Sequence, residues 1–382
     1  MKRFQNAIVF VENEGFQTRS VQFDERIIQI TDGETDGEVI ALPENAIVLP
    51  GFIDQHIHGA GGSDAMDGSV EDLKIIANTV AGEGTTGFLA TTMTQSKENI
   101  LKAMRAVKEY KSLSLKEGAR VVGIHLEGPF IAEKFKGAQP LEYVAKPDKE
   151  VFDEYNAASG NAIKIVSLAP EVDGAEELIA YLKSKNIVPS IGHTGAGYAD
   201  VEKGIAAGAC NVTHTFNAQT PLHHREIGTV GSALLCDSLN SELIADGIHV
   251  SVPAMRLLVK CKPQDKLTLI TDAMRAKGLQ DGVSELGGQV VIVKGGEARL
   301  EDGTLAGSVL RMNRAVENMV KKVGVSLETA VTYATANPAK NLGIFDEVGS
   351  IKEGKRADFA VLDKDTFDVI MTIRDGEIIY RA

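Results

Sequence analysis

The stretch IVLPGFIDQHIH, at positions 47–58, decides the fold class. An apolar run ends there in two histidines, His56 and His58, which are separated by one residue. Residues i and i+2 of a β-strand point to the same face. The stretch therefore predicts a buried strand whose end presents two imidazoles side by side.

Seven further apolar runs follow, at 85–93, 120–128, 163–171, 187–194, 209–217, 242–250 and 266–274. Helical patterns, such as residues 69–84 and 174–186, separate them. Buried strands that alternate with helices are typical of a parallel sheet covered on both faces. Eight such units in about 225 residues favour an α/β fold with a (β/α)8 barrel. The alternative is an open doubly wound sheet, but the Gly-rich stretch GAGGSD at 59–64 follows the histidines instead of opening a phosphate-binding turn.

Short strand patterns lie at both ends of the chain, in residues 7–31 and 357–382. Chain termini are often close in space, so these segments predict one small β-sandwich. We expect residues 1–49 and 346–382 to form this domain and residues 50–345 to form the barrel. Residues 283–310 predict an inserted hairpin, and residues 311–324 predict a final helix.

The composition excludes several classes of protein. A net charge of −13 argues against a nucleic-acid partner, which requires a basic surface. The three cysteines are widely spaced, which supports neither a zinc knuckle nor a disulfide framework and favours the reducing cytoplasm. The apolar run near the N-terminus is short and meets Glu12 and Glu14, unlike a signal peptide. No apolar run is long enough to predict a membrane span.

Polar residues collect where the predicted strands end, and in such barrels this rim carries the chemistry. Imidazole and carboxylate ligands suit divalent Zn, Fe, Mn, Co or Ni. The alternative is a set of hydrogen-bonded core histidines, which would not all gather at strand ends. We predict that the metal ligands are His56, His58, Glu127, His193, His214 and Asp272.

Six ligands exceed what one tetrahedral catalytic ion needs, so the inventory favours two ions joined by a carboxylate. Many related barrels bridge two ions with a carboxylated lysine on the fourth strand. The only lysine of the fourth run here, Lys164, lies near its start, so Glu127 is the predicted bridge. Glu171, at the end of that run, is a weaker candidate that we interpret as a supporting residue. We expect one ion at His193 and His214, and the other at His56, His58 and Asp272.

Motifs along nearly the whole chain resemble the N-acetylglucosamine-6-phosphate deacetylase family of the amidohydrolase superfamily. The motifs are PGFIDQHIHG (50–59), HLEGPF (125–130), GHT (192–194), THTFNA (213–218), ADGIHV (245–250), TDAM (271–274), LAGS (305–308) and GSIKEGKRADFAVLD (349–363). The resemblance implies a barrel with a small β-sandwich, and hydrolysis of N-acetyl-D-glucosamine 6-phosphate to D-glucosamine 6-phosphate and acetate in amino-sugar catabolism. It also implies that Glu127, His193 and His214 are ligands throughout the family, and that members with both first-strand histidines hold two ions.

The same resemblance assigns the remaining roles. Asp272 is expected to act as general base and then as general acid, and Arg225 to bind the phosphate, since guanidinium pairs with phosphate through two hydrogen bonds. Gln139 stands where some members carry a histidine that polarises the acetyl carbonyl. Family members are homodimers, which would place Arg225 and His249 in the partner's site. The other expected substrate contacts are Ala138, Asn217, Ala218, Asp246, Gly247, Ile248, Leu305, Ala306 and Gly307.

Three other functions fit parts of the pattern. The motif HLEGPF and the absence of a lysine at the end of the fourth strand argue against another amidohydrolase, such as a deaminase or cyclic-amide hydrolase. A non-catalytic assembly protein on the same barrel would be expected to lose ligands that this chain retains. A phosphosugar isomerase or aldolase would not require the paired histidines, although the fold alone does not fix the function.

Overall fold

A computed structural model describes residues 1–382. Its strands are β1 (Lys2–Val11), β2 (Gly15–Phe23), β3 (Ile27–Thr31), β4 (Glu38–Val39), β5 (Ala46–Pro50), β6 (Phe52–Ile57), β7 (Gly59–Ala60), β8 (Ser63–Asp64), β9 (Thr85–Thr91), β10 (Arg120–Glu127), β11 (Ile163–Leu168), β12 (Val188–Ile191), β13 (Asn211–Val212), β14 (Asn240–Ile244), β15 (Leu267–Ile270), β16 (Gly282–Leu286), β17 (Gln289–Lys294), β18 (Glu297–Leu300), β19 (Leu305–Ser308), β20 (Phe359–Asp363), β21 (Val369–Arg374) and β22 (Glu377–Arg381). Its α-helices are α1 (Val70–Ala81), α2 (Lys97–Ser112), α3 (Lys149–Ala158), α4 (Ala175–Ser184), α5 (Tyr198–Ala207), α6 (Gly228–Leu235), α7 (Val252–Cys261), α8 (Met312–Asn318), α9 (Leu327–Ala334) and α10 (Ala336–Asn341).

The barrel is built from eight parallel strands in the order β6, β9, β10, β11, β12, β13, β14 and β15. Nearly all residues of these strands are buried, because helices cover their outer faces. The two end strands meet where the Asp272 N–H donates to His56 O at 2.8 Å and the His58 N–H donates to Ala273 O at 2.9 Å. The predicted (β/α)8 barrel is confirmed.

The two ends of the chain share one eight-stranded sheet, in which β5 pairs antiparallel with β20 and parallel with β1. Phe4, Phe23 and Phe359 form its aromatic core, with ring centroids 5.0–5.4 Å apart. The last hairpin turns at Asp375 and Gly376, both with positive φ, as the Asp-Gly pair predicts. The expected small β domain accompanies the barrel.

Residues 47–58 form two strands instead of the single strand expected from the sequence. β5 belongs to the terminal sheet and β6 to the barrel, and Gly51 separates them. A Cβ on Gly51 would lie 2.2 Å from Thr86 Oγ1, so the chain passes from one domain to the other at a residue without a side chain. The apolar pattern hid this break because both strands are buried.

The insertion after the eighth barrel strand is a four-stranded antiparallel sheet, β16 to β19, and not the predicted hairpin. Three turns occur where the sequence analysis expected one, at Gly287–Gly288, Gly295–Gly296 and Gly303, all with positive φ. The predicted final helix is α8 followed by a π-helical turn, Met319–Val323, but it is not the last helix, because α9 and α10 follow it. None of the helices combines the length and apolar character required to cross a bilayer.

Candidate metal centre

The six predicted ligands converge at the C-terminal rim of the barrel, and all six are buried. Three of them lie just beyond strand ends with left-handed backbone conformations: φ is +51° at His193, +28° at His214 and +49° at Asp272. Such conformations are costly for residues with a Cβ and cluster at functional sites. They turn the chain sharply at the point where these side chains meet.

Glu127 lies at the centre of the cluster. Its Oε1 is 3.0 Å from His214 Nε2, 3.2 Å from His193 Nε2 and 3.3 Å from His56 Nε2. Its Oε2 is 3.3 Å from His58 Nε2. One carboxylate therefore contacts all four imidazoles through its two oxygens, as the predicted bridge requires.

The cluster separates into two groups of three residues whose ligand atoms lie within 4.8 Å of one another. Asp272 Oδ1 is 3.2 Å from His58 Nε2 and 3.4 Å from His56 Nε2. We call the two groups the inner group and the outer group. The inner group is Glu127, His193 and His214, and the outer group is His56, His58 and Asp272.

The hydrogen bonds around the cluster leave imidazole lone pairs directed at carboxylate oxygens. His193 Nδ1 donates to Phe135 O at 2.9 Å and His56 Nδ1 donates to Glu242 Oε2 at 3.1 Å. In each neutral ring, Nε2 then carries a lone pair directed at carboxylate oxygens. Buried His56 Nε2 has no hydrogen-bond partner. A cation at these positions would relieve the repulsion, so the residues fit divalent metal ions.

The acid–base properties show the same excess of negative charge. Burial acts to lower the pKa of His58, but Asp272 and Glu127 outweigh it and raise that pKa to about 10. Burial acts to raise the pKa of Asp272, but His56 and His58 lower it to about 2. The site is therefore arranged to hold positive charge next to two ionised carboxylates.

The comparison with known proteins agrees with this geometry. The sequence profile of the amidohydrolase family matches residues 47–379. The chain belongs to the amidohydrolase family. The N-acetylglucosamine-6-phosphate deacetylase of Bacillus subtilis (strain 168) is 47% identical over 89% of this chain and 86% of its own length. An N-acetylgalactosamine-6-phosphate deacetylase of Escherichia coli O157:H7 is 38% identical over 83% of this chain and 84% of its own.

Solved structures of family members superpose over the whole chain. The N-acetylglucosamine-6-phosphate deacetylase of Thermotoga maritima gives a TM-score of 0.90 at 35% identity, with 100% of both chains covered. A variant of the Mycobacterium smegmatis deacetylase in complex with N-acetyl-D-glucosamine-6-phosphate gives 0.92 at 30% identity, with 99% of both chains covered. The deacetylase members of the family therefore share this barrel and its accompanying β domain.

A cavity of about 210 Å³ opens beside the metal-candidate cluster. His58, Glu127, His193, His214 and Asp272 form part of its wall. The predicted substrate contacts that line it are Ala138, Gln139, Asn217, Ala218, His249, Leu305 and Gly307. This arrangement places a bound molecule against both ligand groups.

The other predicted contacts do not line this cavity. Arg225 is exposed, and its Nη1 contacts His224 Nε2 at 2.7 Å. Asp246, Gly247 and Ile248 form a turn, and Ala306 is fully buried in the core that supports the inserted sheet.

Asp246 orients His249. Its Oδ1 accepts the His249 N–H at 2.8 Å and its Oδ2 accepts His249 Nδ1–H at 2.6 Å. The ring of His249 is held on the cavity of its own chain. The expectation that His249 reaches the partner's site stays a prediction.

Gln139 binds the protein at both ends of its amide. Its Nε2 donates to Glu127 Oε2 at 2.7 Å and its Oε1 accepts the Thr94 N–H at 2.6 Å. In this structure it orients the central carboxylate, a role that the sequence analysis did not assign to it. Glu171 accepts from Thr194 Oγ1 and the Gly195 N–H, and so supports the turn after His193.

Sequence reasoning missed Glu242, which is fully buried and hydrogen-bonded to His56. The available signal was an acidic residue at the start of the strand-like run 242–250. It also missed four residues of the cavity wall, Met93, Gly137, Leu286 and Thr304. Leu286 belongs to the inserted sheet, so only the three-dimensional structure brings it to the cavity.

Proposed function

We propose that this amidohydrolase-family enzyme removes the acetyl group of N-acetyl-D-glucosamine 6-phosphate by metal-dependent hydrolysis of its amide bond. The products are D-glucosamine 6-phosphate and acetate, in amino-sugar catabolism. One observation carries the proposal: Glu127 contacts the imidazoles of both metal-candidate groups in a chain that is 47% identical to a deacetylase of this substrate.

The inner group would hold one divalent ion and the outer group a second, with Glu127 between them. When bound, such ions supply Lewis acidity, which lowers the pKa of water towards 7 and polarises an amide carbonyl. Zn, Fe, Mn, Co and Ni all suit these ligands. The Nε2 lone pairs of His193, in the inner group, and of His56, in the outer group, favour two ions over a single ion.

Asp272 is the proposed proton carrier. Its Oδ1 lies beside His58 and His56, and its side chain also reaches the cavity. As a carboxylate at the cavity wall, it can accept a proton from the attacking water. The same oxygen then delivers the proton to the departing amine, because nitrogen expelled as an amide anion is a poor leaving group.

The substrate would occupy the cavity with its acetamide against the metal-candidate cluster. Asn217, Ala218, His249, Ala138, Leu305 and Gly307 supply the surrounding contacts. We further propose a homodimer in which Arg225 binds the phosphate of the partner's substrate. Its exposure within the solvent-facing stretch Pro221–Glu226 supports this role, because Arg225 does not line the cavity of its own chain.

The domain division at residues 1–49, 50–345 and 346–382 remains a proposal, and β5 runs across its first boundary. A cytoplasmic location is proposed from the three unpaired cysteines.

Four predicted contacts do not line the cavity, and we propose that they support the site from behind: Asp246, Gly247, Ile248 and Ala306.

The decisive experiment compares three substrates at equal concentration. N-acetylglucosamine 6-phosphate should give the highest kcat/KM, ahead of N-acetylgalactosamine 6-phosphate and unphosphorylated N-acetylglucosamine. The galactosamine isomer is the specific competitor, because one relative at 38% identity is a deacetylase of that compound. A preference for the unphosphorylated sugar would refute the proposed substrate.

A further inference from the structure

Glu242 is a fully buried carboxylate in β14 that accepts four hydrogen bonds. Its Oε1 accepts from Gln55 Nε2 at 2.7 Å and from Asn211 Nδ2 at 3.2 Å. Its Oε2 accepts from His56 Nδ1 at 3.1 Å and from the backbone N–H of His214 at 3.2 Å. Every partner is a donor, so only an ionised carboxylate satisfies the whole set.

We propose that Glu242 is a positioning residue that selects the ligating nitrogen of His56 and thereby forms the outer metal site. This inference rests on the metal-dependent function proposed above. By holding the proton on Nδ1, Glu242 leaves the Nε2 lone pair directed at Glu127 and Asp272, at 3.3 and 3.4 Å. A carboxylate that fixes the tautomer and ring orientation of a metal-ligating histidine also raises its basicity as a ligand.

Glu242 also connects the two ligand groups. The oxygen that holds the ring of His56, from the outer group, holds the backbone of His214, from the inner group. The two contacts differ in kind, since the first sets the protonation of a ligand ring and the second only the path of the chain. Loss of the negative charge should therefore affect the outer ion more than the inner ion.

A glutamine at position 242 cannot reproduce this arrangement. In either amide orientation its NH2 group faces donors. If the NH2 group faces Gln55 and Asn211, donors meet donors. These two side chains cannot rotate to present their oxygens instead, because Gln55 Oε1 already accepts from Asn341 at 3.1 Å and Asn211 Oδ1 from Asn240 at 2.6 Å. If it faces His56, the ring must accept at Nδ1, which moves the proton to Nε2 and blocks the ligating atom.

The test is the zinc stoichiometry of Glu242→Gln and wild type, equilibrated with buffered Zn²⁺ alone and measured by mass spectrometry. Wild type should bind two ions per chain. The variant should keep the tighter ion and bind the other about 10–100-fold more weakly, the usual effect of losing such a partner. Glu176→Gln, on the exposed surface of α4, is the matched control and should bind as wild type does.

Unchanged affinity for both ions in Glu242→Gln would overturn the inference, as would an equal loss of both ions, which indicates a role in the fold alone. A wild type that binds a single ion at every zinc concentration would also overturn it. If Glu242→Gln does not fold, Glu242→Asp keeps the charge, withdraws it by one methylene and should show the same selective loss to a smaller degree. Failure of the proposed substrate would appear separately, as wild type that binds two ions but releases no acetate.

Discussion

The backbone N–H of Asp272 donates to the carbonyl oxygen of His56 at 2.8 Å, across the seam where the last barrel strand meets the first. The same two residues approach through their side chains, with Asp272 Oδ1 3.4 Å from His56 Nε2. The bond that closes the barrel therefore also aligns a proposed ligand with the proposed proton carrier. The contacts that join the two end strands therefore also bring two members of the outer group together.

Asp272→Asn should lower kcat by about 10²–10⁴-fold, because an amide keeps the shape and one oxygen but cannot carry the proton. Steady-state acetate release measures the effect, and circular dichroism verifies the fold. Asp365→Asn, an exposed residue beyond β20, is the control and should retain wild-type kcat. Wild-type activity in Asp272→Asn would show that another residue acts as the general base.

Single alanine substitutions should separate the two ligand groups. His56→Ala should lower the metal content by about one ion per chain, because it removes one nitrogen of the outer group. His193→Ala should remove the inner ion and abolish acetate release. His224→Ala, an exposed imidazole, should leave the metal content unchanged. Equal metal content in all three variants would contradict the proposed ligand set.

The barrel and the convergence of the six candidate ligands were predictable because both follow from short-range patterns. Each apolar run fixes a buried strand, and the residue after it lies at the rim whatever the packing of the helices. His56 and His58 needed only the alternation of a strand. The terminal β domain was also predictable, because its strands alternate and the Asp375–Gly376 turn has a specific signature.

Other features depend on packing that the sequence does not encode locally. The break at Gly51 is visible only from its contact with Thr86, a residue of another strand. The hydrogen bonds of Gln139 to Glu127 and Thr94 join three separate segments. The left-handed backbone of His193 could not be expected from its residue type. These are the long-range contacts that shape the site around the predicted ligands.

Acid should destabilise the protein through His125, which is buried and donates from Nδ1 to Gln55 O while Nε2 accepts from Ser167. Burial, assisted by the neighbouring His56, lowers its pKa from 6.5 to about 3. The unfolded chain binds a proton below pH 6.5 that the folded chain does not bind until about pH 3. Stability is therefore lost as the pH falls through this window.

The expected contribution of His125 is about 1.4 kcal/mol of unfolding free energy per pH unit. Urea unfolding of metal-free protein at pH 7, 6 and 5 measures it. His125→Asn, which can still donate to Gln55, should be less sensitive to pH than wild type. His223→Asn, in the exposed loop, should match wild type. Equal slopes for wild type and His125→Asn would show that another group controls acid unfolding.

Arg225→Ala tests how the phosphate is bound. Removing one member of a charge-assisted pair typically costs about 2–5 kcal/mol, or roughly 30- to several-thousand-fold in kcat/KM. This loss should appear for N-acetylglucosamine 6-phosphate and be nearly absent for unphosphorylated N-acetylglucosamine. Arg105→Ala, exposed on α2, should affect neither substrate. An equal loss for both substrates would indicate that Arg225 supports the fold or the dimer instead.

The most direct measurement is acetate release from N-acetylglucosamine 6-phosphate as divalent metal is restored to metal-free protein. We expect negligible activity without metal and full activity once the inner and outer groups are filled, at two ions per chain. Full activity after a single ion would mean that the outer group only supports the site. Full activity in protein shown to be free of metal would contradict metal-dependent hydrolysis.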